Sequence, residues 1–95
     1  AITLVQAENY DALGEKEKAL LYFNILTDVL NAGDDEKVGY SWLRRGEICA
    51  DLGRDEEALQ FFNYFLQMYE NADPAFQTWI ERAKSGRAEV FSRLN

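Results

Sequence analysis

The chain has no histidine, one cysteine (Cys49), one proline (Pro74), and no apolar run close to membrane-spanning length. Without histidine, the commonest general base near neutral pH is missing and imidazole metal sites are excluded. One thiol cannot close an internal disulfide or build a thiolate metal site, so the fold does not depend on an oxidising compartment. A helical span needs roughly 18–20 apolar residues, and neither that nor a basic-apolar-small leader is present. The expectation is therefore a soluble, most simply cytoplasmic, domain with no direct membrane insertion. The chain starts at Ala1, already inside a helical pattern, which suggests a piece of a longer protein. Basic residues are the minority, ten Lys and Arg against 17 Asp and Glu, giving a net charge of −7. That balance repels phosphate backbones at long range, so nucleic acid is not an expected partner.

In its 95 residues the chain is 47% apolar, with two Trp, five Tyr and six Phe, enough for one small core without crosslinks. Long stretches of Ala, Leu, Glu, Lys and Arg between six glycines favour helix, because straight-chain residues lose little rotamer freedom there. The expected class is all-α.

The chain also repeats itself. An offset of 39 residues pairs Leu4 with Leu43, Glu8 with Glu47, Leu13-Gly14 with Leu52-Gly53, Ala19-Leu20 with Ala58-Leu59, Phe23-Asn24 with Phe62-Asn63, and Asp34 with Asp73. Apolar positions recur at three and four residues on both sides of each Leu-Gly, so each copy reads as two helices. Ala19, Tyr22, Phe23, Leu26 and Leu30 form one stripe; Ala58, Phe61, Phe62, Phe65 and Tyr69 form its equivalent.

Punctuation supports this division. Gly14 and Gly53 stand where a helix end needs the left-handed conformation. Asp55, Glu56 and Glu57 follow, suited to free backbone N–H groups and to the positive end of a helix. The stretch 31–37, NAGDDEK, offers a closing Gly and an Asp N-cap, while Asp73-Pro74 offers a cap and a first helical residue. Helices are expected near 2–13, 16–31, 35–52, 55–70 and 74–93. The organisation is then one repeat over 1–34, a second over 35–73, and a terminal helix or partial third repeat over 74–95. Gly86 inside that last helix costs up to about 1 kcal/mol relative to Ala and suggests a bend.

These residues resemble the tetratricopeptide repeat (TPR), whose signature sets bulky, small and aromatic residues at fixed spacings along a helical hairpin. The second copy supplies Trp42, Gly46, Gly53, Ala58 and Phe62; the first supplies Ala7, Tyr10, Gly14, Ala19 and Phe23. The match spans about residues 1–70. Cys49 stands where Tyr10 does in the first copy, Phe65 and Leu26 occupy a usually small position, Thr3 replaces the bulky opening residue, and the period exceeds the family's 34. The resemblance implies a right-handed stack of two helix-turn-helix hairpins plus a C-terminal capping helix, an α-α superhelix, with first helices along a concave groove. It also implies which residues face that groove: Leu4, Glu8, Asp11 and Ala12 from the first copy, Tyr40, Leu43, Glu47, Ala50 and Asp51 from the second, and Ile80, Lys84 and Arg87 from the last helix.

No enzyme signature or cofactor motif is found. The carboxylates Glu8, Glu47 and Asp51 read first as a solvated face, and Cys49 as a core thiol. The glycines fit no phosphate loop. The leading expectation is an adaptor module that holds a basic or amphipathic peptide or helix, with Glu8, Glu47 and Asp51 attracting Lys or Arg and Leu4, Leu43 and Tyr40 burying apolar anchors. A carboxylate clamp for a chaperone tail is not expected, since Leu and Glu stand where such TPR domains carry Lys and Asn. The competing readings are a homo-oligomer formed through unpaired hairpin faces and the run FFNYF at 61–65, and a helical domain that senses a small ligand or signal peptide. In the leading reading, replacing Glu8 and Glu47 weakens a basic partner without unfolding the domain.

Overall fold

The two Leu-Gly steps set the local geometry. In the computed structural model, which describes residues 4–28 and 36–95, Gly14 and Gly53 both adopt φ +78 and every other positive φ is absent among the described residues. At each, the chain closes the preceding helix with paired backbone bonds. The N–H of Glu15 donates to the carbonyl of Tyr10 and that of Gly14 to Asp11; Arg54 donates to Cys49 and Gly53 to Ala50. This is the double bond pattern of a left-handed glycine cap, and it turns the chain back on itself.

The described residues form α1 (Leu4–Ala12), α2 (Lys16–Asp28), α3 (Glu36–Asp51), α4 (Asp55–Met68), a 3-10 turn (Pro74–Phe76) and α5 (Gln77–Leu94), with no strand among them. Each helix packs on the next in sequence, and α3 also packs on α5. The all-α expectation is met. The expected cap in 31–37, the end of the second helix, the start of the third and the repeat boundary at 34/35 lie outside the described residues, as do Leu30 and the Asp34 match.

Two starts differ from expectation. Asp73 caps as expected, its carboxylate accepting from the Ala75 N–H at 2.9 Å, but Pro74 opens a 3-10 turn and the α-helix begins only at Gln77. Phe76, packed on Tyr69 and Trp79, occupies the junction. At α4 the N-cap position is Arg54 and no side chain caps the helix. Asp55 is drawn instead to Arg93 of α5, so the acids there act through charge near the helix N-terminus.

The core follows the repeated stripes. Ala19, Phe23 and Leu26 of α2 and Ala58, Phe62 and Phe65 of α4 are buried, together with Ala7, Leu43, Ile48, Cys49, Ala83 and Val90. Burying each large apolar side chain contributes roughly 1.5–3 kcal/mol. The run FFNYF is partly spent on this core: Phe62 and Phe65 are fully buried and Phe61 is half-buried, while Tyr64 is exposed and lies on Trp42 with ring centroids 4.5 Å apart. Arg45 was not foreseen there. Its guanidinium lies 4.4 Å from the Trp42 ring and 4.2 Å from that of Phe61, and donates to Thr27 Oγ1 and Asp28 Oδ1 at 2.7 and 3.0 Å. Burial lowers the Arg45 pKa, while Asp28 opposes that shift.

Phe62 lies against two glycines of different helices. A Cβ on Gly46 of α3 would come within 2.8 Å of the ring, and one on Gly86 of α5 would overlap it. Gly86 sits inside a continuous α5, where its missing Cβ permits a close approach between helices. Gly39 plays a similar part, since a Cβ there would meet the Tyr69 ring.

Two outcomes follow from this core. At an open helical position Gly→Ala stabilises by up to about 1 kcal/mol, but Gly86→Ala will lower stability by about 1–3 kcal/mol because the ring cannot yield. Combining it with Phe62→Leu will cost less than the sum of the two single changes, as measured by urea denaturation of the double-mutant cycle. Burial pushes the Cys49 thiol up to about 11. The folded state therefore holds its proton more tightly than the unfolded chain, and stability will fall as pH rises between roughly 8.5 and 11. A Cys49→Ala variant measured over the same range will lack that loss.

Candidate functional site

First helices of the hairpins carry one face of charge. Asp11 on α1 receives a two-pronged bond from Arg44 on α3, at 2.8 Å to Nε and 2.7 Å to Nη2. Arg44 also donates to Glu47 at 2.6 Å, and Arg82 of α5 donates to the same carboxylate, its Nε at 3.0 Å. Residues 44, 47 and 51 lie one and two turns apart on α3, as do 82, 85 and 89 on α5, so each set shares a helix face. The result is a chain of alternating charge, Asp11–Arg44–Glu47–Arg82, tying α1, α3 and α5 together.

Its members are only partly exposed, with 14% of the Arg44 side chain and 21% of Glu47 open to solvent. Burial pulls the Arg44 pKa down, but bonds to Asp11 and Glu47 outweigh it and the guanidinium is held charged beyond its usual range. Arg82 is raised as well, first by its bond to Glu47. Asp51 pairs at 3.0 Å with Lys16, and Glu89 at 2.7 Å with Arg93.

Beside this chain a groove of about 320 Å³ opens between α3 and α5. Phe62 and Gly86 contribute to its lining, with Ala50, Asp51, Ser85 and Glu89 around them. The contact that brings α5 against α4 thus also shapes the groove.

The residues expected to form one strip are divided by the structure. Glu47, Ala50 and Asp51 line the groove. Asp11 meets it only through Arg44, and Glu8 is exposed on α1 with no ion pair among the described residues. Leu43 is fully buried and does not reach the groove surface; it is a core residue. Leu4, Tyr40 and Ile80 are half-buried and packed on the core, Tyr40 between the rings of Phe23 and Trp79. Lys84 lines a different cleft, between α4 and α5. Sequence reasoning missed Arg44 and Arg82, whose charge offsets the acids. The available signals were the three-residue spacing of Arg44 and Glu47 on α3 and the place of Arg82 in the partial third copy.

Among the described residues no cluster of three or more His, Cys, Asp or Glu could hold a metal ion, and no helix is long and apolar enough to cross a membrane. Comparison of the chain with family models, with curated proteins and with solved structures finds no match.

Glu47 cannot be exchanged as a free surface acid. Glu47→Gln will lower stability by about 1–3 kcal/mol, since Arg44 and Arg82 lose charge-assisted bonds, and Glu47→Lys will lower it further by placing a third cation beside them. Glu8→Lys will leave stability within about 0.5 kcal/mol of the parent. Chemical denaturation of the three variants measures the contrast.

Proposed function

We propose that this is a protein-interaction module, a TPR-like stack of two hairpins and a capping helix, which receives a helix or peptide of a partner in the groove between α3 and α5. The observation that carries the reading is that groove, a concave surface whose charges are already ordered. Arg44, Glu47 and Arg82 hold one another in place, so a partner meets fixed donors and acceptors with little side-chain entropy left to lose. Repetition of the hairpin supports the TPR likeness, through Gly14 and Gly53, Ala19 and Ala58, and Phe23 and Phe62.

Pairing changes the kind of partner. Two cations, Arg44 and Arg82, stand among the carboxylates of the lining, so a purely basic ligand gains less than a bare acidic strip would give it. An amphipathic helix with polar groups of both signs fits better, its apolar side facing Ala50 and Gly86 above the buried Phe62 ring. Self-association through FFNYF is weakened as an alternative, because Phe62 and Phe65 are core and Tyr64 is the one exposed aromatic of the run.

A photo-crosslinking amino acid at Ser85 tests this. Ser85 is exposed and lines the groove, whereas Gln67 is exposed on α4 outside it. Crosslinking in lysate will trap a defined protein from position 85 and not from 67, and Ser85→Arg will abolish its capture by the otherwise unlabelled domain. Equal yields from both positions, or capture that survives Ser85→Arg, would contradict the reading.

A further inference from the structure

A second groove, of about 490 Å³, lies between α4 and α5, beyond the one just described. Its size falls in the roughly 300–1,000 Å³ range of binding clefts. Residues 84, 87, 88 and 91 recur at three and four positions along α5, a stripe on the opposite flank of the buried Ala83–Val90 seam from 82, 85 and 89. Leu59, Ala88 and Phe91 supply apolar lining; Lys84 and Arg87 supply charge; no carboxylate is among the lining residues.

Two features separate this groove from ordinary surface. Phe91 is 57% exposed, whereas the other five phenylalanines are buried or half-buried. Lys84 and Arg87 are also the exceptions among the cations. Lys16, Lys18, Arg44, Arg45, Arg54, Arg82 and Arg93 all form ion pairs. Among the described side chains only Lys84 and Arg87 have none, and Arg87 donates just to the neutral Asn63 amide at 3.2 Å. In a chain with net charge −7, these two cations without a carboxylate line the groove that the exposed Phe91 also lines.

We propose that this α4–α5 groove docks an acidic amphipathic helix of a partner protein, with its apolar side chains over Leu59 and Phe91 and its carboxylates paired to Lys84 and Arg87. Charge complementarity selects this occupant. A basic helix would leave both cations opposed by like charge, and an uncharged one would leave them unpaired. The overall acidity of the domain does not prevent docking, because at physiological ionic strength charges beyond about 8 Å are largely screened. This site shares no lining residue with the groove between α3 and α5.

The probe is a fluorescein-labelled Leu/Glu peptide of about five helical turns, with Leu at three- and four-residue spacing. Controls are a peptide with every Glu replaced by Lys and one of scrambled order. In anisotropy titrations, the parent domain will bind the Leu/Glu helix at least about tenfold more tightly than either control. Lys84→Gln with Arg87→Gln, and separately Phe91→Ala, will each weaken binding by about tenfold with helicity unchanged by circular dichroism. Ser85→Arg will leave it unaltered. Equal affinity for the Lys peptide, or no effect of both the paired Gln variant and Phe91→Ala, would overturn the proposal. Loss of binding in Ser85→Arg would overturn it too, by moving the peptide to the other groove. Dimers in sedimentation that vanish with Phe91→Ala would assign the groove to a second copy of the chain and overturn it likewise.

Discussion

The fit of the Phe62 ring between Gly46 and Gly86 is the constraint on which the rest of the molecule depends. One aromatic side chain on α4 touches both α3 and α5 where each lacks a Cβ, so the three helices meet at a distance that any larger residue would forbid. Interiors are packed densely enough that such a contact fixes relative position. Phe62 and Gly86 then appear at the lining of the α3–α5 groove, while Leu59, one turn earlier on α4, faces the other groove. Both surfaces thus take their shape from a single packing decision.

Charge works at a second level, between elements already placed. Arg44 and Arg82 reach across helix boundaries to Asp11 and Glu47, and Arg54 and Arg93 reach to Glu17 and Asp55. The more exposed of these pairs contribute little each. The chain across α1, α3 and α5 differs because its groups are partly withdrawn from water and share partners, which gives one face a fixed pattern of donors and acceptors. It also leaves Lys84 and Arg87 conspicuous as cations without carboxylates.

Much of this was legible from residue order, and the limits are instructive. Gly14 and Gly53 could be read because a left-handed helix stop is a local backbone requirement, and Asp73 could be read as a cap for the same reason. Gly86 could be read only as a local cost in its helix, because its packing reason is a ring from another helix, which local propensity does not contain. Leu43 was given to the groove by the TPR resemblance, yet its side chain is buried in the fold. Lys84 was grouped with Ile80 by the same resemblance, although it lies on the flank of α5 toward α4. The acids at 8, 11, 47 and 51 were visible, but the pairing of 11, 47 and 51 with cations was not. Periodicity says which side of a helix a residue takes and nothing of which opposite charge arrives from the next one.

The account stands or falls on the contact of Phe62 with two helices at once. A nuclear Overhauser spectrum of the domain, with Phe62 assigned, measures it directly. The structure predicts cross-peaks from the Phe62 ring protons to the Hα protons of both Gly46 and Gly86. Cross-peaks to Gly46 alone would show α5 detached from the hairpin before it, and would remove the common basis of both grooves.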